Sequence, residues 1–384
     1  MHLYDIVNQA DLEAAIAAGH VKRQAHPTEP LQILNYTQTC MWDKVWTAVT
    51  RTCRGLIYHA ESLQVVARPF RKFFNHGEEH AGELDMSARV LVTDKIDGSL
   101  GILYPLPSGG HAVATRGSFA SEQAQHATQL WRQRYAEVEP HPGVTYLFEI
   151  IYPQNRIVLD YGGMDDLVFL AAVDVTTGRT LPPEHHWPHQ RVSHFLFGTL
   201  ADALRAPPRA NAEGLVVHFV ETDERVKIKQ DDYVALHRIM TGTSPRRLWE
   251  FLCVAACKRD VLEPKSWGKL GLDPLRAQEI LAAGDHWLES MLAHVPDEFF
   301  AWVKDTIAQI ENHVAQMRRE SLAAFEAVAH ARTDRKTFAA LTMQSPHANA
   351  LFRLLDGKEI ETYLWKQAYP AAERGWLSRS EDVA

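Results

Sequence analysis

The sequence predicts an α+β protein in which antiparallel sheets form an N-terminal domain, residues 1–240, and an all-α C-terminal domain follows, residues 241–384. Many short β-rich segments with few, irregularly placed helices occupy the first part of the chain, which favours antiparallel sheets over a regular βαβ array. From about residue 236 the chain becomes rich in Ala, Leu, Glu, Gln and Arg, which favour helices. Within the first domain, residues 1–85 are interpreted as an upstream module.

The predicted strands are separated by turn formers such as Ser108-Gly109-Gly110 and Thr177-Gly178. One segment, residues 121–137, instead has the spacing and length of a helix. The predicted strands are residues 53–58, 64–67, 89–93, 100–104, 112–115, 145–151, 167–175, 214–220 and 225–228.

Helices are predicted throughout the C-terminal domain. Ser244-Pro245 can start a helix, and apolar residues then follow at helical spacing from Leu248 to Ala255. The later helical segments are residues 275–295, 298–329 and 334–343.

The composition argues against a passive binder of polyanions. The 384 residues carry 40 Lys+Arg against 48 Asp+Glu, a net charge of −8, whereas such binders are basic throughout. A local basic cleft is compatible with this average, because the electrostatic field depends on how the charges are distributed.

The cysteines predict a reducing compartment, since Cys40, Cys53, Cys253 and Cys257 are too few and too scattered for a disulfide scaffold. Cys253 and Cys257 have no matching Cys or His pair, so we interpret them as packing residues rather than zinc ligands. The first residues lack a secretory signal, and no apolar run approaches the roughly 20 residues that span a bilayer. We therefore expect a cytoplasmic protein without membrane contact.

Lys95 is the candidate nucleophile. An apolar, β-branched run, Val90-Leu91-Val92-Thr93, delivers it to the turn Ile96-Asp97-Gly98-Ser99. A single Lys-x-Asp-Gly run recurs by chance, so this pattern alone is weak. A nucleophilic lysine needs desolvation or nearby cations to lose its proton, a nucleoside triphosphate with its α-phosphate in line, and a metal ion.

Two further lysines can supply the cations. In Val226-Lys227-Ile228-Lys229 apolar and basic residues alternate, so a strand places Lys227 and Lys229 on one face. Both ammonium groups could then act on Lys95 and bind a phosphate. The alternative interpretation is an amphipathic surface strand with a solvated basic face.

Three acids are candidate magnesium ligands, partly through water. Glu213 immediately precedes an apolar strand, and Glu149 lies within one, where a carboxylate is costly unless it is paired, binds metal or faces a cleft. Asp97 follows Lys95 by two residues. For Glu149 the alternative is an edge position that is exposed to water.

Further basic residues lie upstream of strands or at strand ends. Arg116 ends a strand at a tight turn, and Arg54 precedes a strand. The segment from Arg68 to Asn75, which contains Lys72, interleaves basic and aromatic residues, a pattern suited to phosphates or stacked bases. Its alternative is a surface strand that covers an aromatic core.

Other motifs are weaker. His185, His186 and His189 lie among prolines without a flanking acid, so we interpret them as an exposed loop rather than metal ligands. The sequence contains no Walker-type run and no Gly-x-Ser-x-Gly elbow.

In this order, the segments resemble the lysine-dependent nucleotidyltransferases, and within them the T4 RNA ligase 1 family. The resemblance covers most of the first 240 residues and continues weakly at Asp334-Arg335-Lys336-Thr337-Phe338. Arg116 stands where the family relative has Lys, and Asp232 replaces an aromatic residue beside Tyr233. The residues that carry the resemblance are Cys53-Arg54-Gly55-Leu56-Ile57, Arg68-Pro69, Lys72-Phe73-Phe74-Asn75, Lys95-Ile96-Asp97-Gly98-Ser99-Leu100, Arg116-Gly117-Ser118, Ser121-Glu122-Gln123-Ala124, Phe148-Glu149, Pro153, Asn155-Arg156-Ile157-Val158-Leu159, Glu213-Gly214, Lys227-Ile228-Lys229, Asp231, Tyr233-Val234 and Leu236-His237.

The resemblance implies an ATP-grasp-like nucleotidyltransferase domain and a ligase that uses ATP and Mg²⁺ or Mn²⁺. The reaction would have three steps: AMP is transferred to Lys95, then to an RNA 5′-phosphate, and a 3′-hydroxyl then seals the ends. The implied acceptor is RNA, with nicked tRNA as one candidate, and the helical domain would select it. The resemblance also suggests RNA repair, an upstream end-healing kinase or phosphatase, and a monomeric enzyme.

The resemblance also implies a role for each site residue. Lys227 and Lys229 would contact the α-phosphate, and Asp97, Glu149 and Glu213 would surround the metal ion or its waters. Glu149 could instead bind ribose. Arg54 and Lys72 would orient pyrophosphate, and Arg116 would contact ribose or the RNA 5′-phosphate.

Three alternatives remain open. A DNA ligase is a sister enzyme, although the Lys72-Phe73-Phe74-Asn75 and Asn155-Arg156-Ile157-Val158-Leu159 runs point to the T4 RNA ligase 1 family rather than to the superfamily at large. A capping enzyme should carry an OB-fold after the second lysine strand, whereas helices are predicted there. A catalytically inactive RNA-binding relative would need none of the acids.

Overall fold

The computed structural model describes residues 1–182, 187–257, 270–284 and 297–370, together with residues 288 and 295. His185 and His186, which the sequence analysis considered as ligands, lie outside the described residues. The chain divides into two compact units, of which the first comprises Met1–Ala235 and the second begins at Leu236.

The first unit contains three sheets. All neighbouring strands pair antiparallel except β5 and β13, which are parallel. The mixed α+β class with antiparallel sheets is therefore confirmed. The strands are β1 (Val21–Ala25), β2 (Leu31–Tyr36), β3 (Arg54–His59), β4 (Val65–Ala67), β5 (Phe74–Asn75), β6 (Val90–Asp94), β7 (Ser99–Pro105), β8 (His111–Thr115), β9 (Val144–Ile151), β10 (Asp166–Asp174), β11 (His194–Phe195), β12 (Gly214–Phe219) and β13 (Arg225–Lys229).

The strand orders are β1-β2-β3-β4, β10-β9-β7-β8 and β11-β6-β12-β13-β5. We call them the first, second and third sheets. The helices of this unit are α1 (Leu3–Ile6), α2 (Gln9–Ala17), α3 (Gln38–Trp42), α4 (Ala48–Thr52), α5 (Glu122–Arg134) and α6 (Leu200–Leu204), and α7 (Asp231–Gly242) continues into the second unit.

Apolar side chains join the first and second sheets face to face. Ile33 and Ile57 of the first sheet are buried in one cluster with Ile102, Ala114 and Leu147 of the second. Alternating residues of a strand point to opposite faces, so each of these strands presents one apolar side to this core.

The other face of the second sheet is covered by α5. The Ser121 hydroxyl caps this helix by accepting from the Ala124 amide, and Leu130 and Trp131 are buried against Phe148 of the sheet. The third sheet has its own core, in which Val92 and Val217 pack with Leu200 of α6. Strands β6, β12 and β13 are thereby fixed side by side, with their ends at the candidate site.

The described residues of the second unit form helices. Ser244 caps the helix that begins at Pro245, as predicted, and Trp249 Nε1 donates to the carbonyl of Trp365 at 2.9 Å. The all-α arrangement of the whole C-terminal domain stays a prediction, since residues 258–269, 285–287, 289–294, 296 and 371–384 are not described. The helices are α8 (Pro245–Ala256), α9 (Pro274–Ala283), α10 (Asp297–Ala327), α11 (Arg335–Thr342), α12 (Ala348–Leu355) and α13 (Glu361–Gln367).

All four cysteines are buried and free. A hydrogen bond with Cys257, and then burial, raise the pKa of the Cys253 thiol, in keeping with a packing role. Among the described residues, no helix combines the length and the apolar character that crossing a membrane requires.

Candidate active site

Lys95 lies just beyond the end of β6. Its amide donates to the carbonyl of Gly214 at 3.0 Å, which fixes the backbone beside the start of β12. Its Nζ lies 2.5 Å from Glu213 Oε2, and Lys229 Nζ lies 3.1 Å from Glu213 Oε1. One carboxylate with 2% of its side chain exposed therefore holds two lysines.

The pairing of β12 with β13 explains this arrangement. Gly214 is opposite Lys229 in the register, so the residue before Gly214 comes close to the lysine. A Cβ atom at Gly214 would lie 1.9 Å from the Ile228 carbonyl oxygen, and φ is +152°. Only glycine fits there, which accounts for the Glu-Gly sequence.

Lys227 lies on the same strand face as Lys229 and is partly buried. Desolvation, and then the positive charges of Lys72, Lys95 and Arg54, lower the pKa of Lys227 well below its ordinary value. Because Lys227 is partly buried and Lys229 contacts the buried carboxylate of Glu213, the alternative of a solvated basic face is wrong. The same interactions join the upstream cations and the lysine strand into one electrostatic site.

Asp97 is a buried carboxylate, 5% exposed. Its Oδ1 accepts from the Tyr233 hydroxyl at 2.8 Å, and its Oδ2 accepts from the amides of Val158 and Leu159 at 2.9 and 3.2 Å. Burial and the nearby Glu213 carboxylate raise the pKa of Asp97 despite these hydrogen bonds.

Glu149 lies on β9, between β10 and β7, so the alternative of a water-exposed edge position is wrong. Its Oε1 accepts from the Gly98 amide at 3.0 Å. Desolvation raises the pKa of Glu149 to about 7, although Lys95 opposes the shift. A nearby cation would stabilise this carboxylate.

Tyr36 organises the upstream cations. Its hydroxyl accepts from Arg116 Nη1 at 2.5 Å, and Lys72 Nζ lies 5.7 Å from its ring centroid. Burial opposes ionisation of the phenol, but Arg116, Lys72 and Arg54 outweigh it and lower the pKa of Tyr36. Such a concentration of cations fits a polyanionic ligand.

Aromatic rings of Trp46 and of the segment from Arg68 to Asn75 contact the cations Lys72 and Arg54. Lys72 Nζ is 5.1 Å from the Trp46 ring centroid and 5.4 Å from that of Phe74, and Arg54 lies 5.6 Å from that of Phe73. Desolvation and the Arg54 charge lower the pKa of Lys72. The rings of Phe73 and Phe74 are buried, as the alternative of an aromatic core expects, and phosphate or base binding by this segment stays a prediction.

Arg209 was missed by the sequence analysis. Its Nη2 donates to Asp94 Oδ1 at 2.7 Å and to the Gly214 carbonyl at 2.9 Å. Arg209 therefore bridges Asp94, which precedes Lys95, and Gly214, which follows Glu213. It lies in a loop rich in Ala and Pro with no local motif. Tyr36 and Tyr161 were also missed; the Tyr161 hydroxyl accepts from the Asp97 amide at 2.7 Å.

Asp97, Glu149 and Glu213 are the predicted ligands of a divalent cation. Within the described part of the chain, no group of three or more His, Cys, Asp or Glu side chains is arranged to hold a metal ion. Carboxylate oxygens are nevertheless the ligands that Mg²⁺ prefers, and Mg²⁺ commonly takes one or two of them together with water and phosphate oxygens. The assignment of Asp97, Glu149 and Glu213 to metal stays a prediction.

The fold and the site define an α+β protein with a lysine–carboxylate centre. Residues 52–199 match the family model described as RNA ligase, which confirms the predicted resemblance in that segment. Lys95, Asp97 and Glu149 lie inside the matched segment, and Glu213 and the second lysine strand follow it.

Two individual relatives of this chain also have names that include RNA ligase. A Thermovibrio ammonificans protein named "Putative RNA ligase" is 29% identical over 217 residues, which are 51% of this chain and 55% of that protein. An Autographa californica nuclear polyhedrosis virus protein named "Putative bifunctional polynucleotide kinase/RNA ligase" is 27% identical over 245 residues, 57% of this chain and 35% of that protein. The chain thus spans about half or less of these relatives' lengths.

Among solved structures, an archaeal ATP-dependent RNA ligase is similar at 18% identity with a TM-score of 0.45, covering 80% of this chain and 79% of that one.

Proposed function

We propose that this chain is an ATP-dependent RNA ligase that joins 5′-phosphate and 3′-hydroxyl ends through lysyl-AMP and RNA-adenylate intermediates. The observation that carries the proposal is the contact of Lys95 Nζ with Glu213, beside Lys227 and Lys229. A binding protein has no need to bury acids among these lysines, because each buried charge costs free energy.

In the first step Lys95 Nζ attacks the α-phosphorus of ATP. The Lys95 ammonium first gives one proton to Glu213 Oε2, 2.5 Å away. The neutral amine then forms the P–N bond, the P–O bond to pyrophosphate breaks, and the second nitrogen proton leaves with the pyrophosphate. Lys227 and Lys229 stabilise the charge that develops on the α-phosphate oxygens. Most of the catalysis comes from this positioning and electrostatic stabilisation, as in other phosphoryl transfers.

Asp97, Glu149 and Glu213 would hold a Mg²⁺ or Mn²⁺ ion directly or through water. The ion would neutralise phosphate charge when it is bound. For the chain itself, the pKa of Glu149 is raised to about 7, so a bound cation would favour its ionised form. Glu149 could alternatively bind the ribose hydroxyls.

The upstream cations would orient the leaving group. Arg54 and Lys72 are the candidates for the β- and γ-phosphates, and the Tyr36 hydroxyl lies beside them. Arg116 would contact ribose or the RNA 5′-phosphate. Their common position around one phenol supports this assignment.

In the second step an oxygen of the RNA 5′-phosphate attacks the adenylate phosphorus, and the P–N bond to Lys95 breaks. In the third step the 3′-hydroxyl attacks the 5′-phosphorus, AMP leaves and the RNA is sealed. Both steps use the same site because the adenylate stays among the same cations.

The N-terminal domain would have the nucleotidyltransferase, ATP-grasp-like fold, with residues 1–85 as its upstream module. The helical domain from residue 241 would select the RNA, with nicked tRNA as one candidate. A monomeric, cytoplasmic repair enzyme that receives ends from a kinase or phosphatase is the setting we propose.

The test is a panel of acceptors with ATP and Mg²⁺. Linear RNA, nicked stem-loop RNA and nicked duplex DNA, each with 5′-phosphate and 3′-hydroxyl ends, are compared for joining. We expect RNA to be joined much faster than DNA. A preference for nicked DNA would identify a DNA ligase. Covalent labelling of the protein with ATP and with GTP is measured in parallel: labelling by GTP alone would identify a capping-type enzyme, and no labelling a catalytically inactive relative.

A further inference from the structure

A row of polar side chains leads from the cation cluster to the edge of the first sheet. Arg54 on β3 pairs with Asn35 on β2, and Asn35 pairs with Lys22 on the edge strand β1. Neighbouring strands lie about 4.8 Å apart, so the row spans about 10 Å. Lys22 is therefore the outermost cation of a line that begins beside Tyr36.

Gly117 lies next to the Asn35 and Lys22 side chains of this row. A Cβ atom there would lie 3.1 Å from Asn35 Nδ2 and 3.6 Å from Lys22 Nζ, so both donors approach the same short stretch of backbone. The preceding residue, Arg116, donates to Tyr36. With no side chain at Gly117, a ligand can approach the two nitrogens and the Arg116 backbone together.

Neither side chain is explained by packing. Asn35 is 4% exposed, and its Oδ1 acceptor has no hydrogen-bond partner among the described residues, which is unfavourable for a buried amide. The atom of Asn35 that can donate to an anion is Nδ2, which lies beside Gly117. Lys22 is exposed and forms no ion pair within the described ranges, whereas its neighbour Arg23 pairs with Glu13 at 2.9 Å. An unneutralised cation at the end of a polar row fits an anionic ligand.

We infer that Lys22, with Asn35 and Gly117, binds a phosphate of the RNA strand that is being joined. The inference rests on the proposed function. The ligand is RNA rather than ATP because Arg54 and Lys72 already surround the inner end of the row, two strands away from Lys22. Lysine is suited to this role as a point charge that accepts several phosphate orientations.

The experiment compares Lys22→Ala with Arg23→Ala, a matched control on the same strand, and with Lys22→Arg. Binding of 5′-phosphorylated single-stranded RNA is titrated at several salt concentrations, and protein–AMP formation is measured in parallel. For Lys22→Ala we expect about threefold to tenfold weaker binding and a salt slope smaller by about 0.7, the value for one lost phosphate contact with a single strand.

Lys22→Arg should keep the wild-type salt slope of RNA binding, and Arg23→Ala should bind RNA with the same affinity and salt slope as wild type. Protein–AMP formation should persist in Lys22→Ala, since ATP binds at the inner end of the row. Repeating the titration with 5′-hydroxyl RNA distinguishes the sources: a defect confined to phosphorylated RNA assigns the terminal phosphate, and a defect in both assigns an internal one.

An unchanged salt slope in Lys22→Ala would overturn the inference, and so would an equal loss of protein–AMP, which would place Lys22 in the ATP site. If the wild-type protein forms no protein–AMP at all, the proposed function fails instead, so the two failures are distinguishable.

Discussion

Lys95 Nζ lies 2.5 Å from Glu213 Oε2, although 118 residues separate them in the chain. Because Lys229 contacts the other carboxylate oxygen, Glu213 sets the spacing between the two lysine nitrogens, which are the proposed nucleophile and a proposed phosphate ligand. The start of β12 thus fixes the position of both nitrogens.

Glu213→Gln removes the charge that balances the two lysines and the acceptor for the Lys95 proton. We expect protein–AMP formation to slow by about 100-fold or more, the range typical of a lost general base. Single-turnover labelling with ATP measures the rate. The control is Glu221→Gln at an exposed position, which should behave as wild type. A change of less than threefold in Glu213→Gln would refute the role.

Glu149 should make stability depend on pH in the absence of ligands. Its pKa is about 7 in the folded protein, above the ordinary 4.5. Between these values the folded protein holds a proton that the unfolded chain releases, so the free energy of unfolding falls as pH rises. The contribution is fully present below about pH 4.5 and is lost as pH passes 7.

Glu149→Gln does not titrate and should therefore be more stable than wild type at pH 8, by up to about 3 kcal/mol, since one pKa unit corresponds to about 1.4 kcal/mol. The difference should shrink toward pH 4.5. Urea unfolding at several pH values measures it, and a difference independent of pH would contradict the assignment.

Tyr233 and Tyr161 provide a matched pair around Asp97. Tyr233→Phe removes a hydrogen bond to the carboxylate, and Tyr161→Phe removes one from the Asp97 amide. Hydrogen bonds to charged groups contribute about 1.5–3 kcal/mol and neutral ones about 0.5–1.5 kcal/mol. Tyr233→Phe should therefore be the more destabilising change in urea unfolding at pH 7, and the reverse order would be inconsistent with a charged Asp97.

Arg209 should act through the position of Lys95. Arg209→Ala removes the link between Asp94 and Gly214. We expect the rate of protein–AMP formation to fall about tenfold, because misplacement of a reacting group slows the chemical step. The ATP concentration at half-maximal rate should stay within about twofold of the wild-type value. Arg205→Ala is the control, since Arg205 lies four residues before Arg209, is 76% exposed and pairs only with the nearby Asp202 among the described residues. An effect on ATP binding alone would exclude a positioning role.

Most strands could be predicted because they have an apolar face. The predicted segment 145–151 corresponds to Val144–Ile151, and 225–228 to Arg225–Lys229. The edge strand β1 was missed because only one of its five residues, Val21, is buried, which leaves no alternation. β2 was missed with it, and Tyr36, its last residue, went unnoticed.

The site was predicted as a set of residues but not as a set of contacts. Pattern and family resemblance identified Lys95, Glu213 and Lys229, yet the carboxylate bridge depends on β-strand register between distant segments. The lowered pKa of Lys227 depends on desolvation and on cations from three other segments, which no local pattern encodes.

The most direct test of the central claim is labelling with α-³²P-ATP and Mg²⁺. Wild type should form an acid-labile protein–AMP adduct at Lys95, and Lys95→Ala and Lys95→Arg should form none, with urea unfolding confirming that both variants fold. An adduct that persists in Lys95→Ala would show that another residue carries the AMP, and the proposed mechanism would be wrong.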